Sequence, residues 1–289
     1  MWLALAFVSA ALLGFYDVCK KYSLRNNAVI PILFLNTLFC SIIFLPLAFQ
    51  TPFGGWEMQR YILLKACIVL SSWLLGYIGI KNLPITIVGP INATRPVMVL
   101  VGALIIFGER LNLWQWAGVL LAILSFFLLS RSGKKEGIDF KHNRWILCTV
   151  GAAVLGAISG LYDKYLMATE SGLGLPRLTV QCYYNFYQCI MMGAMLLLIW
   201  WPKRKESTPF KWRWNILLIS VFLSVADYVY FYSLSLDGAL ISVVSMVRRS
   251  SVLVSFMLGA LLFHEKNLRS KAVDLALVLL SMILLWLGQ

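Results

Sequence analysis

The sequence predicts an all-α integral membrane protein whose ten transmembrane helices form two inverted five-helix repeats. Of its 289 residues 61% are hydrophobic and only 13% charged. That is about half the charged share of an ordinary soluble domain, too little to wet the surface of so apolar a particle. Apolar runs of about 20 residues, the length that crosses a bilayer as a helix, follow one another along nearly the whole chain. Two motifs recur at long and similar offsets, as in transporters built from duplicated halves.

The runs can be justified in order. The first, 2–22, lacks the charged n-region and small-residue cleavage site of a signal peptide and is expected to stay as a helix; it carries Leu13-Gly14-Phe15-Tyr16-Asp17. Runs 28–49 and 61–80 follow. The fourth, 84–107, holds Pro84, Pro90 and Pro96, spaced by six, with Arg95 before the last. An interior proline removes a backbone hydrogen bond and kinks its helix. A helix broken at the membrane midplane frees backbone groups for a ligand and supplies a hinge. This run ends in Gly102-Ala-Leu-Ile-Ile-Phe-Gly-Glu109-Arg110.

After the fifth run, 113–130, comes a basic linker, 131–144. The sixth, 145–168, repeats the first motif as Ser159-Gly160-Leu161-Tyr162-Asp163, at an offset of 146. Runs 177–201, 214–236 and 238–263 lead to Leu258-Gly-Ala-Leu-Leu-Phe-His-Glu265-Lys266, which matches the end of the fourth run at an offset of 156. The tenth is 270–288. The halves are therefore 1–130 and 145–289. Because five is odd, the second enters the membrane from the opposite side, and a site is expected near the midplane where the halves meet. No room remains for an extramembrane nucleotide-binding or catalytic domain, and the alternating ten-residue segments of a barrel are absent.

Gly-containing first helices, and the "Phe-Gly-Glu-Arg-Leu" type of ending at Phe107 to Leu111 and Phe263 to Asn267, resemble the EamA family of the drug/metabolite transporter superfamily over the full length. The resemblance implies a secondary transporter with both termini in the cytoplasm. It leaves the substrate open among amino acids, drugs, sugar phosphates and nucleotide sugars. Where the family usually has Trp-Gly, this chain has Leu13-Gly14 and Ser159-Gly160. The pair Arg248-Arg249 resembles the Lys-Arg pair with which plastid phosphate translocators hold phosphate, and Tyr183-Tyr184-Asn185-Phe186 resembles the Phe-Tyr-Asn-Asn motif of nucleotide-sugar transporters.

Charged groups within a bilayer are costly and are read as functional by default. Arg95 is eleven residues into the fourth run, and Arg248 and Arg249 are ten and eleven into the ninth, so both halves bring guanidinium to similar depth. Asp227 can neutralise one of the three. The remaining positive charge points to an anion, since a guanidinium fork binds two oxygens of phosphate or carboxylate at once. Three polar stripes at helical spacing suggest a wet cavity: Gln181, Asn185 and Gln188; Ser220, Ser224 and Asp227; Ser242, Ser245 and Arg249. The alternative for the serines is that they hold helices together. Candidate substrate-binding residues are Asn92, Arg95, Gln181, Tyr184, Asn185, Asp227, Arg248 and Arg249.

Asp17 and Asp163 recur in both halves and are candidates for proton coupling. Salt bridges to Lys20 and Lys21, or to Lys164, are the other reading. The expected substrate is a phosphorylated or carboxylated metabolite; the alternative is proton-coupled export of amino acids, amines or cationic drugs. A membrane-embedded enzyme is disfavoured, because His142 and His264 lie at membrane boundaries far apart in sequence. The six cysteines show no metal spacing, and no metal or cofactor is expected.

The net charge of +13 sits mainly in short stretches between runs, as in loops facing anionic lipid rather than nucleic acid. Odd-numbered loops and their flanks hold 17 Lys and Arg against five in even-numbered ones. The positive-inside rule then puts both termini outside, opposite to what the resemblance implies. The expected setting is a bacterial inner membrane, as a monomer or homodimer.

Overall fold

The computed structural model describes residues 2–95, 97–99, 102, 112–134, 143–167, 173–235, 247–248, 250–263 and 268–287. Among the described residues the secondary structure is helical, with no strand. In chain order the helices are α1 (Trp2–Leu24), α2 (Val29–Ala48), α3 (Gly55–Asn82), α4 (Ile85–Ala93) and α5 (Leu113–Lys134). The chain continues with α6 (Arg144–Met167), α7 (Arg177–Met195), α8 (Asn215–Ser235), α9 (Ser251–Phe263) and α10 (Leu268–Leu287). From α7 the chain runs directly into a π-helical turn, Leu196–Trp200.

Among the described residues four stretches are long and apolar enough to cross a membrane: Val29–Ala48, Gly55–Asn82, Arg144–Asp163 and Arg177–Trp200. The second starts well before the apolar run at 61. Gly54 supplies a left-handed N-cap with φ 69°, and Glu57 lies in the first turn, where the positive end of the helix dipole favours a carboxylate.

The distribution of polarity is that of a bundle bathed in lipid. Ile190 and Leu261, each 68% exposed, face outward, whereas Asn36, Gln188 and Ser220 are wholly buried. Exposed apolar area on this scale would cost about 25 cal/mol per Å² in water and nothing comparable in hydrocarbon. The chain is an integral membrane protein.

The most extensive packing is α1 on α8 and α3 on α6, followed by α5 on α10 and α2 on α7; α4 packs on α9. The first two contacts share a chemical detail. Ser9 of α1 donates its hydroxyl to the Ala226 carbonyl of α8 at 2.7 Å, and Ser72 of α3 donates to the Ala152 carbonyl of α6 at 2.7 Å. Small residues let the backbones come this close. A Cβ on Gly79 would lie 2.3 Å from Thr149 Oγ1 across the α3–α6 contact.

At the end of the bundle that holds the α1–α2 and α7–α8 connections, side chains seal backbone groups. The buried Asn27 donates to the Lys211 carbonyl at 2.7 Å and accepts from the Lys211 N–H at 2.9 Å. Lys21 donates its ammonium to the carbonyls of Ile80 and Leu83 at the end of α3, where a cation meets the negative end of the helix dipole.

Candidate functional site

Two helix breaks frame the site. Pro84 caps α4, Pro90 lies inside it and the helix ends at Ala93. Thr94 forms a turn, donating its N–H at 3.2 Å and its hydroxyl at 2.7 Å to the Ile91 carbonyl. Helical bonding resumes when Met98 donates to the Thr94 carbonyl at 3.2 Å. Before α9, Ser250 likewise donates its N–H at 3.0 Å and its hydroxyl at 2.6 Å to the Val247 carbonyl. Between these breaks α4 and α9 pass in opposite directions. A Cβ on Gly89 would sit 2.6 Å from Val252 Cγ2, and one on Gly259 would sit 2.1 Å from Ile85 Cγ2.

Arg95 follows the first break. Its Nη2 donates to Asn92 Oδ1 at 3.1 Å and to the Ala152 carbonyl at 3.4 Å, while its Nε has no partner. The guanidinium lies on Gly156 of α6, where a Cβ would come within 2.7 Å of Cζ. Among the described residues no carboxylate is within ion-pair distance of Arg95, although Asp17 is near enough to act on it through space. Asn92 and Arg95 thus form one unit, as their spacing suggests.

Arg248 is placed differently. It pairs with Asp227, and its guanidinium stacks over the Tyr230 ring at 4.2 Å. Asp227 therefore neutralises Arg248, while Arg95 has no ion-pair partner among the described residues. Arg249, Ser242, Ser245, Pro96 and the motif ends at Glu109 and Glu265 lie outside the described residues.

A third cation, absent from the sequence-based site, joins Arg95 and Arg248. Lys65 of α3 pairs with Asp163 of α6 and sits 5.2 Å from the Tyr184 ring centre. Tyr184 in turn lies within electrostatic reach of Asp227, Asp163 and Arg248. One aromatic side chain of α7 thus stands between an α3–α6 ion pair and the Asp227–Arg248 pair. Asp17 instead pairs within its own helix, with Lys20 at 2.7 Å, and Lys20 lies 4.2 Å from the Tyr16 ring and 5.3 Å from that of Tyr77.

The family described as the EamA-like transporter family matches residues 1–131 and 143–287. The chain belongs to the EamA-like transporter family. An Archaeoglobus fulgidus protein described as "Uncharacterized transporter" is 25% identical over 135 residues, 45% of this chain and 49% of that one. The match therefore spans about half the length of that curated relative. A solved structure described as "Crystal structure of protein" superposes with a TM-score of 0.66 over 99% of this chain and 97% of that chain, at 13% identity, a likeness of fold. This EamA-like chain is thus an integral membrane member of a family of transporters.

The polar stripes of this EamA-like transporter divide into two kinds. Ser220 donates to Asn36 Oδ1 at 3.1 Å and Ser224 lies 3.6 Å from the Cys40 sulfur; both hold α8 to α2. On α7, Asn185 donates to the Gln181 carbonyl at 2.9 Å, and its own carbonyl accepts from Ser41 at 3.1 Å. The buried Gln181 Nε2 and both amide atoms of Gln188 have no partner. An uncovered buried amide costs about 1–3 kcal/mol; Asn36 Nδ2 and Thr179 Oγ1 are likewise without a partner. Among the described residues no His, Cys, Asp and Glu cluster could hold a metal ion.

Proposed function

We propose that this transporter carries a small organic anion, phosphorylated or carboxylated, by alternating access across a bacterial inner membrane. Ten spans would form two inverted halves, 1–130 and 145–289, joined by the basic linker 131–144. Three features support that arrangement. The family matches each half separately. Exchanging the halves turns the α1–α8 contact into the α6–α3 contact and leaves α2–α7, α4–α9 and α5–α10 unchanged. The breaks at Thr94 and Ser250 lie at the offset of 156 that relates the motif ends.

The observation that carries the anionic substrate is Arg95, a guanidinium at a helix break whose hydrogen-bond partners are an amide oxygen and a carbonyl. Neutral acceptors orient the fork without discharging it, which leaves its charge for a ligand. In this reading Asn92, Gln181, Tyr184, Asn185, Asp227, Arg248 and Arg249 complete the binding surface, and Asp17 and Asp163 couple transport to protons. Export of cations is the weaker reading, because Asp17, Asp163 and Asp227 each already face a cation.

A thermal-shift screen of purified protein against anionic metabolites, amino acids and cationic dyes tests the assignment. Phosphorylated or carboxylated compounds should stabilise the wild type and lose that effect in Arg95→Gln. Stabilisation by cationic dyes alone, equal in both proteins, would overturn it.

A further inference from the structure

The Lys65–Asp163 pair is unequal in its access to water. The lysine side chain is 6% exposed and the aspartate side chain 36%. A partly exposed carboxylate thus neutralises an almost enclosed ammonium. Among the described residues the groups around Asp163 are few. Lys65 faces it from α3 and Tyr184 lies within reach from α7; its neighbour Tyr162 turns its hydroxyl to the Tyr61 carbonyl at 3.2 Å. Arg95, beyond the end of α4, meets α6 two turns away, at Gly156. Among the described residues Asp163 is the one carboxylate within ion-pair distance of Lys65.

An ammonium held inside a bilayer needs a counter-charge, and it can have either its own carboxylate or an incoming one. Resting on the anionic-substrate reading above and deepening it, we propose that Lys65 is a further substrate-binding residue. The anionic group of the substrate and the carboxylate of Asp163 compete for it, and Asp163 takes up one proton for each anion that reaches Lys65.

The balance is simple. A proton taken from the aqueous phase forms an O–H bond on the Asp163 carboxylate, the neutral acid releases Lys65, and the substrate anion takes its place on an ammonium that stays charged throughout. Release reverses these steps, so the net movement is one proton with one anion. The Tyr184 ring holds the ammonium in position in both states, since a cation over an aromatic face is attracted whichever anion is present. Asp17, the counterpart of Asp163 in the sequence repeat, is paired within its own helix and has no such cross-helix exchange. This exchange between helices therefore belongs to one half of the molecule.

Sulfate and oxalate, whose charges are constant between about pH 6 and about pH 8, serve as probes for titrations into the full-length protein in detergent. For the wild type, linkage to one proton makes the apparent affinity rise by up to about tenfold for each unit fall in pH. Asp163→Asn, with Lys65 already released, should bind at least about tenfold more tightly than wild type at the upper end of the range and lose the pH dependence. Because Lys65→Gln alone strands the Asp163 charge, the double variant Lys65→Gln, Asp163→Asn is the test of the lysine; it should fold and lose binding by about tenfold or more. The inference is overturned if Asp163→Asn keeps the wild-type affinity and pH dependence, or if the double variant binds as wild type does. Loss of binding in Arg95→Gln, with wild-type binding in both Lys65 and Asp163 variants, would overturn this inference and leave the anionic substrate standing. Failure of either anion to bind wild type or Asp163→Asn at any pH would overturn both.

Discussion

Thr94 and Ser250, 156 residues apart, end their helical segments in the same way: each gives both its N–H and its hydroxyl to the carbonyl three residues behind it. Arg95 follows one break and Arg248 precedes the other, so the guanidinium groups flank the two turns from opposite sides. A side-chain hydrogen bond of this kind contributes about 0.5–1.5 kcal/mol. Thr94→Val and Ser250→Ala should therefore change how readily the breaks flex. The expected outcome in liposome uptake is a turnover altered by about twofold to tenfold with little change in half-saturation; a change confined to half-saturation would place the hydroxyls on the ligand instead.

The Asp227–Arg248 pair predicts a stability effect. The pair is partly buried, so removing one partner leaves an uncompensated charge at a cost of up to about 3–5 kcal/mol, the value for a fully buried pair. Asp227→Asn should markedly lower the unfolding temperature in detergent, and adding Arg248→Gln should recover most of the loss. Equal temperatures for the single and double variants would show that the pair does not share its charge.

Gly156 predicts an affinity effect. A methyl group there would occupy the space of the Arg95 guanidinium, 2.7 Å from Cζ, and push the fork off its position between Asn92 and Ala152. Gly156→Ala should raise half-saturation for the transported anion by about tenfold, since misplacing a charge-assisted contact costs about 1.5 kcal/mol or more. The unfolding temperature should hardly move, because alanine is the better helix former. A lowered unfolding temperature with unchanged half-saturation would assign Gly156 to helix packing alone.

Orientation is tested by a reporter fused to Gln289. The excess of Lys and Arg in odd-numbered loops predicts that this terminus faces outward. A cytoplasm-only fluorescent reporter should stay dark there, and an enzyme that works only outside the cytoplasm should be active; fluorescence would reverse the assignment.

Much of the helical plan was legible, because it needs only run length and polarity. The run at 145–168 appears as Arg144–Met167 and that at 28–49 as Val29–Ala48. The break near Asn92 and Arg95 was legible from Pro90 and Pro96. Lys65 was not. Hydropathy alone starts its run at 61 and so treats the lysine as a flank, whereas the helix begins at Gly55 and carries Lys65 about 15 Å inward at 1.5 Å per residue.

Its partner was equally hidden, since periodicity says which residues share a face but not which helix that face meets. Asp163 has Lys164 beside it in sequence, yet it pairs with a lysine 98 residues away. The same limit applied to Gly156, whose role depends on where the Arg95 guanidinium lies. The serine stripe shows the converse: identical spacing served helix contact at Ser220 and Ser224 and an ion pair one turn on at Asp227.

Lys21 has a consequence for how the molecule opens. It belongs to α1, which packs on α8, yet its ammonium grips the end of α3, which packs on α6. The two packed pairs are thus fastened to each other at the basic end. Parting them there strips two carbonyls from the Lys21 ammonium, so polar groups must enter the gap as the pairs separate. Separation at that end is therefore coupled to the arrival of water or lipid headgroups around α1 and α3.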